Sequence, residues 1–294
     1  MEQQPTFDWH RIVLGTAGLA GLWGPVDEDE SIRTILTALE LGIRYFDTAP
    51  AYADAQVLLG KALIQWKGEL PHISTKAGKL KSPDPDIAIC NYSPVSIRQS
   101  IDESRILLNR DVLDLVFLHD PIAMKEEEMV PAMDTLNELK EKGIIRQLGM
   151  GGHYGAEFTQ HAFSGCFSQF MGFNRYNLIR WQNQALEYQT LREKGLEVWQ
   201  ASPLYMGLLG SKYHHYLETR PEWIPAEDFE KVQQLKVYCE QHELDLTGLA
   251  LNFVFHSNCI DKLVLGACNV KELMNSISHL QNSELKNASM LLMH

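Results

Sequence analysis

The sequence predicts an α/β chain folded as one (β/α)8 TIM barrel, and three observations carry that prediction. Short apolar or β-branched runs alternate with amphipathic helical stretches almost from end to end, giving eight strand–helix units. No linker, low-complexity stretch or shift of composition divides the series, so residues 1–294 read as a single domain. The 294 residues, 45% hydrophobic and 22% charged, suffice for one large core of the size such barrels reach. A doubly wound open sheet alternates in the same way and is the competing arrangement.

The elements follow in order. Arg11-Ile12-Val13-Leu14 is a strand broken at Gly15, and the acidic start Asp27 to Glu30 opens a helix that Gly42 stops. Ile43-Arg44-Tyr45-Phe46 is the second strand, followed by a helix near Gln56 to Trp66 and a third strand, His72-Ile73-Ser74-Thr75. Ser93-Pro94 reads as an N-cap with Pro at the first helical position, opening a helix to about Leu108. Leu113 to Leu118 is nearly continuously apolar, as a strand buried on both faces must be. Glu126 to Lys142 is helical up to Gly143, and Ile144 to Leu148 is the fifth strand. The remaining strands are placed near Cys166–Phe170, Leu196–Gln200 and Lys262–Leu265. Helices are expected near Trp181–Lys194, Ala226–Glu243 and Thr247–His256, with a last one from about Val270 to Leu280. Lys79–Tyr92 and Gly210–Pro225 read as long loops, and loops of that length are usually functional.

Composition excludes several classes of function. The net charge is −12 with no block of Lys or Arg, so no nucleic-acid partner is expected. Cys90, Cys166, Cys239, Cys259 and Cys268 show neither Cys-x-x-Cys nor a Cys/His ligand spacing, which points to buried thiols in a reducing compartment and to no metal site. Met1 to Trp9 lacks a basic start followed by an apolar core, and no apolar run approaches the ~20 residues of a membrane helix. A cytoplasmic protein without a membrane partner is expected.

In a barrel the site lies at the C-terminal ends of the strands. Asp47 and Tyr52 follow the second strand, Lys76 ends the third and His119 ends the fourth, so four ionisable groups would face one another across the mouth. A phenol with an ordinary pKa near ~10 exchanges protons poorly at neutral pH, and a nearby ammonium lowers that value. A carboxylate keeps the lysine charged and in place, and a histidine hydrogen-bonds a reacting oxygen. Together they make a proton relay beside a carbonyl or hydroxyl carbon. Each residue type also has an ordinary use: such an Asp caps a helix, a loop Tyr packs, and a strand-end Lys is solvated.

Gly42-Ile43-Arg44-Tyr45-Phe46-Asp47-Thr48-Ala49 with Tyr52, then Ser74-Thr75-Lys76, then Asp114-Leu115-Val116-Phe117-Leu118-His119-Asp120, resemble the signature blocks of the aldo-keto reductases. The resemblance covers nearly the whole chain. It implies a barrel that binds a nicotinamide dinucleotide without a Rossmann fold, with Tyr52 as general acid/base, Lys76 lowering its pKa, Asp47 pairing with Lys76, and His119 orienting the substrate oxygen. His119-Asp120-Pro121, Ala201 to Leu209 and Pro221 to Ala226 are similar to the branch that oxidises aldoses at C1.

For the cofactor, Gly149-Met150-Gly151-Gly152 is a near miss of Gly-x-Gly-x-x-Gly with Tyr154 at the third glycine, and reads as a tight loop. Gly266-Ala267-Cys268-Asn269, opening the last helix, is the better phosphate candidate, since small residues and helix N-terminal amides admit an anion; a plain glycine turn capped by Asn269 is the competing use. The resemblance assigns Gly15, Thr16, Asp47, Ser202, Leu204, Gly207, Gly266, Ala267, Asn269, Glu272 and Asn275 to the cofactor. Gly266 and Glu272 stand where NADP-preferring members often carry Lys and Arg. A carboxylate would repel a 2′-phosphate and accept a ribose hydroxyl, so NAD is favoured and NADP is possible, with Lys271 nearby.

Several positions depart from the family pattern: Gly151-Gly152 replace Ser-Asn, Phe173 replaces Gln, Ala201 replaces the stacking aromatic, and Asn275-Ser276 replace Glu-Asn. Trp23, Tyr205 and Trp223 lie in or beside strand-end loops and are candidates to wall a sugar or carbonyl substrate beside Tyr52 and His119, or else to pack; His153 and Tyr154 are weaker candidates. The chain ends at His294, soon after the last helix, so an open site is expected. The leading expectation is an NAD-dependent aldose 1-dehydrogenase. An NADPH-dependent reductase of aldehydes or small ketones and a nucleotide-binding regulatory subunit are the alternatives. The oligomeric state is not legible.

Overall fold

The computed structural model describes residues 7–84, 87–155 and 165–293. Eight parallel strands close a barrel: β1 (Ile12–Gly15), β2 (Tyr45–Asp47), β3 (His72–Ala77), β4 (Leu113–His119), β5 (Ile145–Gly152), β6 (Gln169–Phe173), β7 (Glu197–Ala201) and β8 (Lys262–Gly266). Strands adjacent in sequence are adjacent in space, and β8 returns to β1 with Gly266 opposite Gly15. Around them lie α1 (Glu28–Leu41), α2 (Ala55–Gln65), α3 (Pro94–Leu107), α4 (Glu126–Glu141), α5 (Gln182–Glu193), α6 (Tyr213–Thr219), α7 (Ala226–Gln241), α8 (Leu246–Phe255), α9 (Val270–Leu280) and α10 (Ser283–Leu291). No helix among the described residues is long and apolar enough to cross a membrane.

Local chemistry sets these boundaries. Asp27 caps α1 by accepting from the Glu30 amide, and Gly42 ends it at φ 101°, a left-handed turn that costs glycine little. Ser93 caps α3 with Pro94 behind it. Inside the barrel Val13, Leu115, Phe117, Met171, Trp199 and Val264 are buried against one another, with Tyr45 and Ala201 packed on them. Burying each large side chain stabilises by about 1.5–3 kcal/mol, and the filled interior is a core, not a pore. The N-terminal end is closed by Lys262, whose Nζ lies 3.6 Å from the Tyr45 ring centre and donates to the His10 carbonyl at 2.7 Å.

The structure departs from the sequence reading in five places. β6 begins three residues later than the apolar run suggested, because Phe167 packs in the outer core before the strand starts at Gln169. The glycine run expected as a tight loop is the end of β5. A Cβ at Gly149 would lie 2.5 Å from the Phe117 ring, so the glycine admits that ring rather than making a turn. Lys79–Leu80 and Ile89–Cys90 pair as a hairpin within the first long loop, and α6 occupies part of the second. α10 follows α9, because Asn282 caps the Glu284 and Leu285 amides and Leu285 is buried. The expectations that rested on Met1 to Thr6 and on His294 lie outside the described residues.

Candidate active site

Asp47, Tyr52, Lys76 and His119 come together at the mouth. β2 and β3 pair with Asp47 opposite Ser74, two residues before Lys76 and on the same face of the strand. Lys76 Nζ donates to Asp47 Oδ2 at 2.5 Å and to the Thr48 carbonyl at 2.9 Å, and the Ser74 hydroxyl donates to Asp47 Oδ1 at 2.7 Å. Both charged side chains are almost wholly buried. Tyr52 sits in the turn between β2 and α2; Lys76 Nζ lies 4.6 Å from its ring centre, and the His119 ring stands perpendicular to it at 6.0 Å.

The electrostatics follow from burial and neighbours. Burial works against the Lys76 charge, but Asp47 and Tyr52 outweigh it and raise its pKa. Burial pushes the Tyr52 phenol above its ordinary value, against a lowering pull from Lys76. The expectation that Lys76 brings the phenol below 10 is therefore corrected for the protein alone: the lysine acts in that direction but burial prevails. His119 is pushed down to about 3 by burial and then by Lys76, so its imidazole is neutral at physiological pH. Its Nδ1 is buried without a partner.

Behind these residues lie groups that sequence reasoning passed over. The Tyr92 hydroxyl donates to the carbonyls of both His119 and Asp120 at 2.8 Å, which fixes the backbone at the end of β4. Asp120 is left-handed at φ 48° and binds Lys79 Nζ at 2.9 Å and the His153 amide at 2.9 Å. The His-Asp-Pro run was the only signal for it, and the hairpin that carries Lys79 and precedes Tyr92 is visible only in three dimensions.

The candidate cofactor residues gather at the ends of β1, β7 and β8. Gly15 pairs with both Asp47 and Gly266, and Thr16 is buried with its amide and hydroxyl donating to the Asp47 carbonyl. The loop after β7 is strained: Ser202 at φ 58°, Tyr205 at 50° and Met206 at 54° are left-handed without being glycine, and Gly207 follows at 96°. Such strain gathers at functional loops. Leu204 opens the 3-10 turn, and the Ser202 hydroxyl accepts from the Met206 amide. Lys212, absent from the sequence reading, packs on Gly207; burial and then Glu272 push the Cys268 thiol up to about 11, against a smaller lowering pull from Lys212.

At the start of α9, Asn269 accepts from the Glu272 amide, Glu272 accepts from the Cys268 amide at 2.9 Å, and Glu30 of α1 accepts from the Val270 amide at 3.1 Å. The amides expected to face an anion are thus held by the chain's own carboxylates. Ala267 is buried, and Asn275 is exposed a turn further along α9. Two substrate candidates are placed differently from expectation. Trp23 lies on the glycine ledge, where a Cβ at Gly18 or Gly266 would come within 2.5 or 2.4 Å of its ring. Tyr205 is fully buried with its hydroxyl on Asp228 at 2.6 Å, so it anchors its loop instead of facing the mouth; Trp223 packs on it, half exposed. A nicotinamide dinucleotide fits this set: a glycine ledge that only a ring now covers, a cation at Lys212, and an unpartnered buried acceptor, Asn174 Oδ1, at the end of β6. Phe173 and Ala201 flank that end, with Phe173 against the His153 ring.

Comparison with known proteins agrees with this architecture. The model of the aldo/keto reductase family matches residues 11–292. L-galactose dehydrogenase of Arabidopsis thaliana is 29% identical over 278 residues, covering 91% of this chain and 83% of the relative. D-arabinose 1-dehydrogenase of Saccharomyces cerevisiae is 32% identical over 284 residues, covering 89% and 80%. NADH-specific methylglyoxal reductase of Escherichia coli is 27% identical, covering 96% and 93%. Among solved structures, a glycerol dehydrogenase from Gluconobacter oxydans superposes with a TM-score of 0.77 at 22% identity, over 99% of this chain and 94% of that one. The chain is an NAD(P)(H)-using oxidoreductase acting on CH-OH and carbonyl groups, and it belongs to the aldo/keto reductase family.

Proposed function

We propose that the protein is an NAD-dependent aldose 1-dehydrogenase, oxidising a sugar at C1 to the lactone. The observation that carries the reading is the buried Asp47–Lys76 pair set against the Tyr52 ring beside a neutral His119. Tyr52, as the phenolate that the ammonium of Lys76 stabilises, takes the proton of the anomeric hydroxyl and becomes the neutral phenol. Asp47 keeps that ammonium charged and in register, and Ser74 and the Thr48 carbonyl hold the pair. His119, neutral, hydrogen-bonds the reacting oxygen without exchanging a proton at working pH. Bound nicotinamide supplies the acceptor for the hydride from C1.

The cofactor would lie along β1, β7 and β8 with its pyrophosphate toward Lys212 and Gly207 and its carboxamide toward Asn174 Oδ1. Glu272 and Glu30 at the start of α9 support NAD over NADP, because two carboxylates there disfavour a further phosphate. Reduction of aldehydes or small ketones is the second reading. The raised Tyr52 pKa favours it at neutral pH, since a protonated phenol is the donor that reduction needs.

Titration with NAD(H) and NADP(H), followed by tryptophan fluorescence, tests the cofactor reading, and an aldose panel at alkaline pH tests the reaction. NAD(H) binding tighter than NADP(H), with lactone formed, is expected. Preference for NADP(H) with aldehyde reduction alone would install the second reading, and binding without turnover would point to a regulatory subunit.

A further inference from the structure

Asp120 follows His119 in the chain, yet its carboxylate makes its hydrogen bonds to Lys79 and His153 and not to Lys76 or Tyr52. Oδ2 lies 2.9 Å from Lys79 Nζ and 4.0 Å from His119 Nε2, while Oδ1 accepts from the His153 amide at 2.9 Å and faces its ring Nδ1 at 3.2 Å. The surroundings are shaped to keep it there. Its own backbone is left-handed, and Gly152 is at φ 92°, where a Cβ would come within 2.1 Å of Oδ1 and displace the carboxylate. Lys79 and Asp120 are largely buried together, although Lys79 keeps some contact with solvent.

We infer that Asp120, with Lys79 and His153, recognises the hydroxyl next to the reacting carbon, so that the site selects aldoses and α-hydroxy aldehydes over simple aldehydes. This rests on the reading of Tyr52 and His119 given above. The 4.0 Å gap between His119 Nε2 and Asp120 Oδ2 is too long for a direct hydrogen bond. It suits two oxygens on neighbouring carbons, the reacting one bonded to the imidazole and its neighbour to the carboxylate. With Nδ1 of His119 walled off, Nε2 is the nitrogen left to meet the reacting oxygen. A hydroxyl is both donor and acceptor, and a carboxylate beside an ammonium is its complement: it donates to Asp120 and accepts from Lys79. A substrate lacking that hydroxyl leaves the further hydrogen-bonding capacity of the Asp120–Lys79 pair unused, and sites built for a hydroxyl discriminate strongly against its absence.

Substrate pairs on the intact enzyme test this: an aldose against its 2-deoxy counterpart in oxidation, and glyceraldehyde against propionaldehyde in reduction. The hydroxylated partner is expected to be favoured in kcat/KM by roughly ten- to hundred-fold, chiefly through KM, the size of a hydrogen bond to a charged group. Asp120→Asn and Lys79→Met should each bring that ratio toward one while NAD(H) affinity holds. The wild-type pairs and the Lys79 variant decide the matter even where Asp120→Asn fails to fold. A wild-type ratio near one, or a ratio that survives both variants, overturns the inference and leaves aldose oxidation standing. A hydroxyl preference seen in reduction alone removes aldose oxidation and leaves the inference, and a protein without turnover in either direction overturns both.

Discussion

At the ends of β2 and β3 the buried Asp47–Lys76 pair is fully engaged: one carboxylate oxygen meets Lys76, the other meets Ser74, and the ammonium also meets the Thr48 carbonyl. At the ends of β7 and β8 the amides and glycines are engaged too, by Glu272, Glu30 and the Trp23 ring, the groups that a nucleotide would meet on the proposed reading. The first region is set before anything binds. The second is held in a strained loop and capped by one exposed carboxylate, one partly buried carboxylate and a half-exposed indole. The contrast teaches where rearrangement belongs: proton transfer needs preorganised charge, whereas a large anionic cofactor needs a groove that opens.

Substitutions of one kind in the two regions sharpen that contrast. Asp47→Asn leaves the Lys76 charge buried and unpaired, and should cost about 3–5 kcal/mol of stability, with turnover down roughly 10²–10⁴-fold. Denaturant unfolding and steady-state rates measure both. Asn269→Ala, which removes the α9 cap, should cost only about 1 kcal/mol and leave kcat within a few-fold. Comparable losses at the two positions would erase the distinction between preformed and adaptable regions.

The pH dependence follows from the same burial. His119, held near 3, stays neutral, so no inflection between pH 5 and 8 should arise from it. Oxidation requires Tyr52 to release its proton, and a raised phenol pKa means that the rate keeps climbing at alkaline pH. A limb near neutrality that vanishes in His119→Gln would contradict the neutral imidazole.

The preformed region was also the legible one. Asp47, Tyr52, Lys76 and His119 stand at or just after strand ends, so counting strands was enough to bring them together. Tyr92, Lys79 and Asp120 were not legible, because their meeting depends on a hairpin within a loop and on one left-handed residue, neither of which has a periodicity. The glycines of β5 misled for a related reason: a glycine that admits the Phe117 ring looks, in one dimension, like a glycine that makes a turn. Tyr205 was expected to face a sugar, but it is buried on Asp228, a residue more than twenty positions further on. Glu30 was read as the start of a helix, and its bond to the Val270 amide joins α1 to α9 across 240 residues of the chain.

Smaller effects test the adaptable region. Glu272→Gln with Glu30→Gln should raise NADP(H) affinity relative to NAD(H) by roughly tenfold, the size of one surface charge interaction. An unchanged ratio would remove these carboxylates from nucleotide choice. Trp23→Phe should abolish most of the fluorescence change on nucleotide binding while altering affinity by only about twofold, because the ring must leave the Gly266 ledge. Full quenching in that variant would place the reporter elsewhere.

In the proposed mechanism Tyr52 exchanges the proton while the cofactor is held by other elements. Its most direct test is Tyr52→Phe, with NAD(H) affinity and aldose turnover measured on the same sample. Nucleotide affinity is expected to stay nearly unchanged while turnover falls at least roughly 10²–10⁴-fold, the share of a general acid/base. Turnover that persists at the wild-type rate would contradict it.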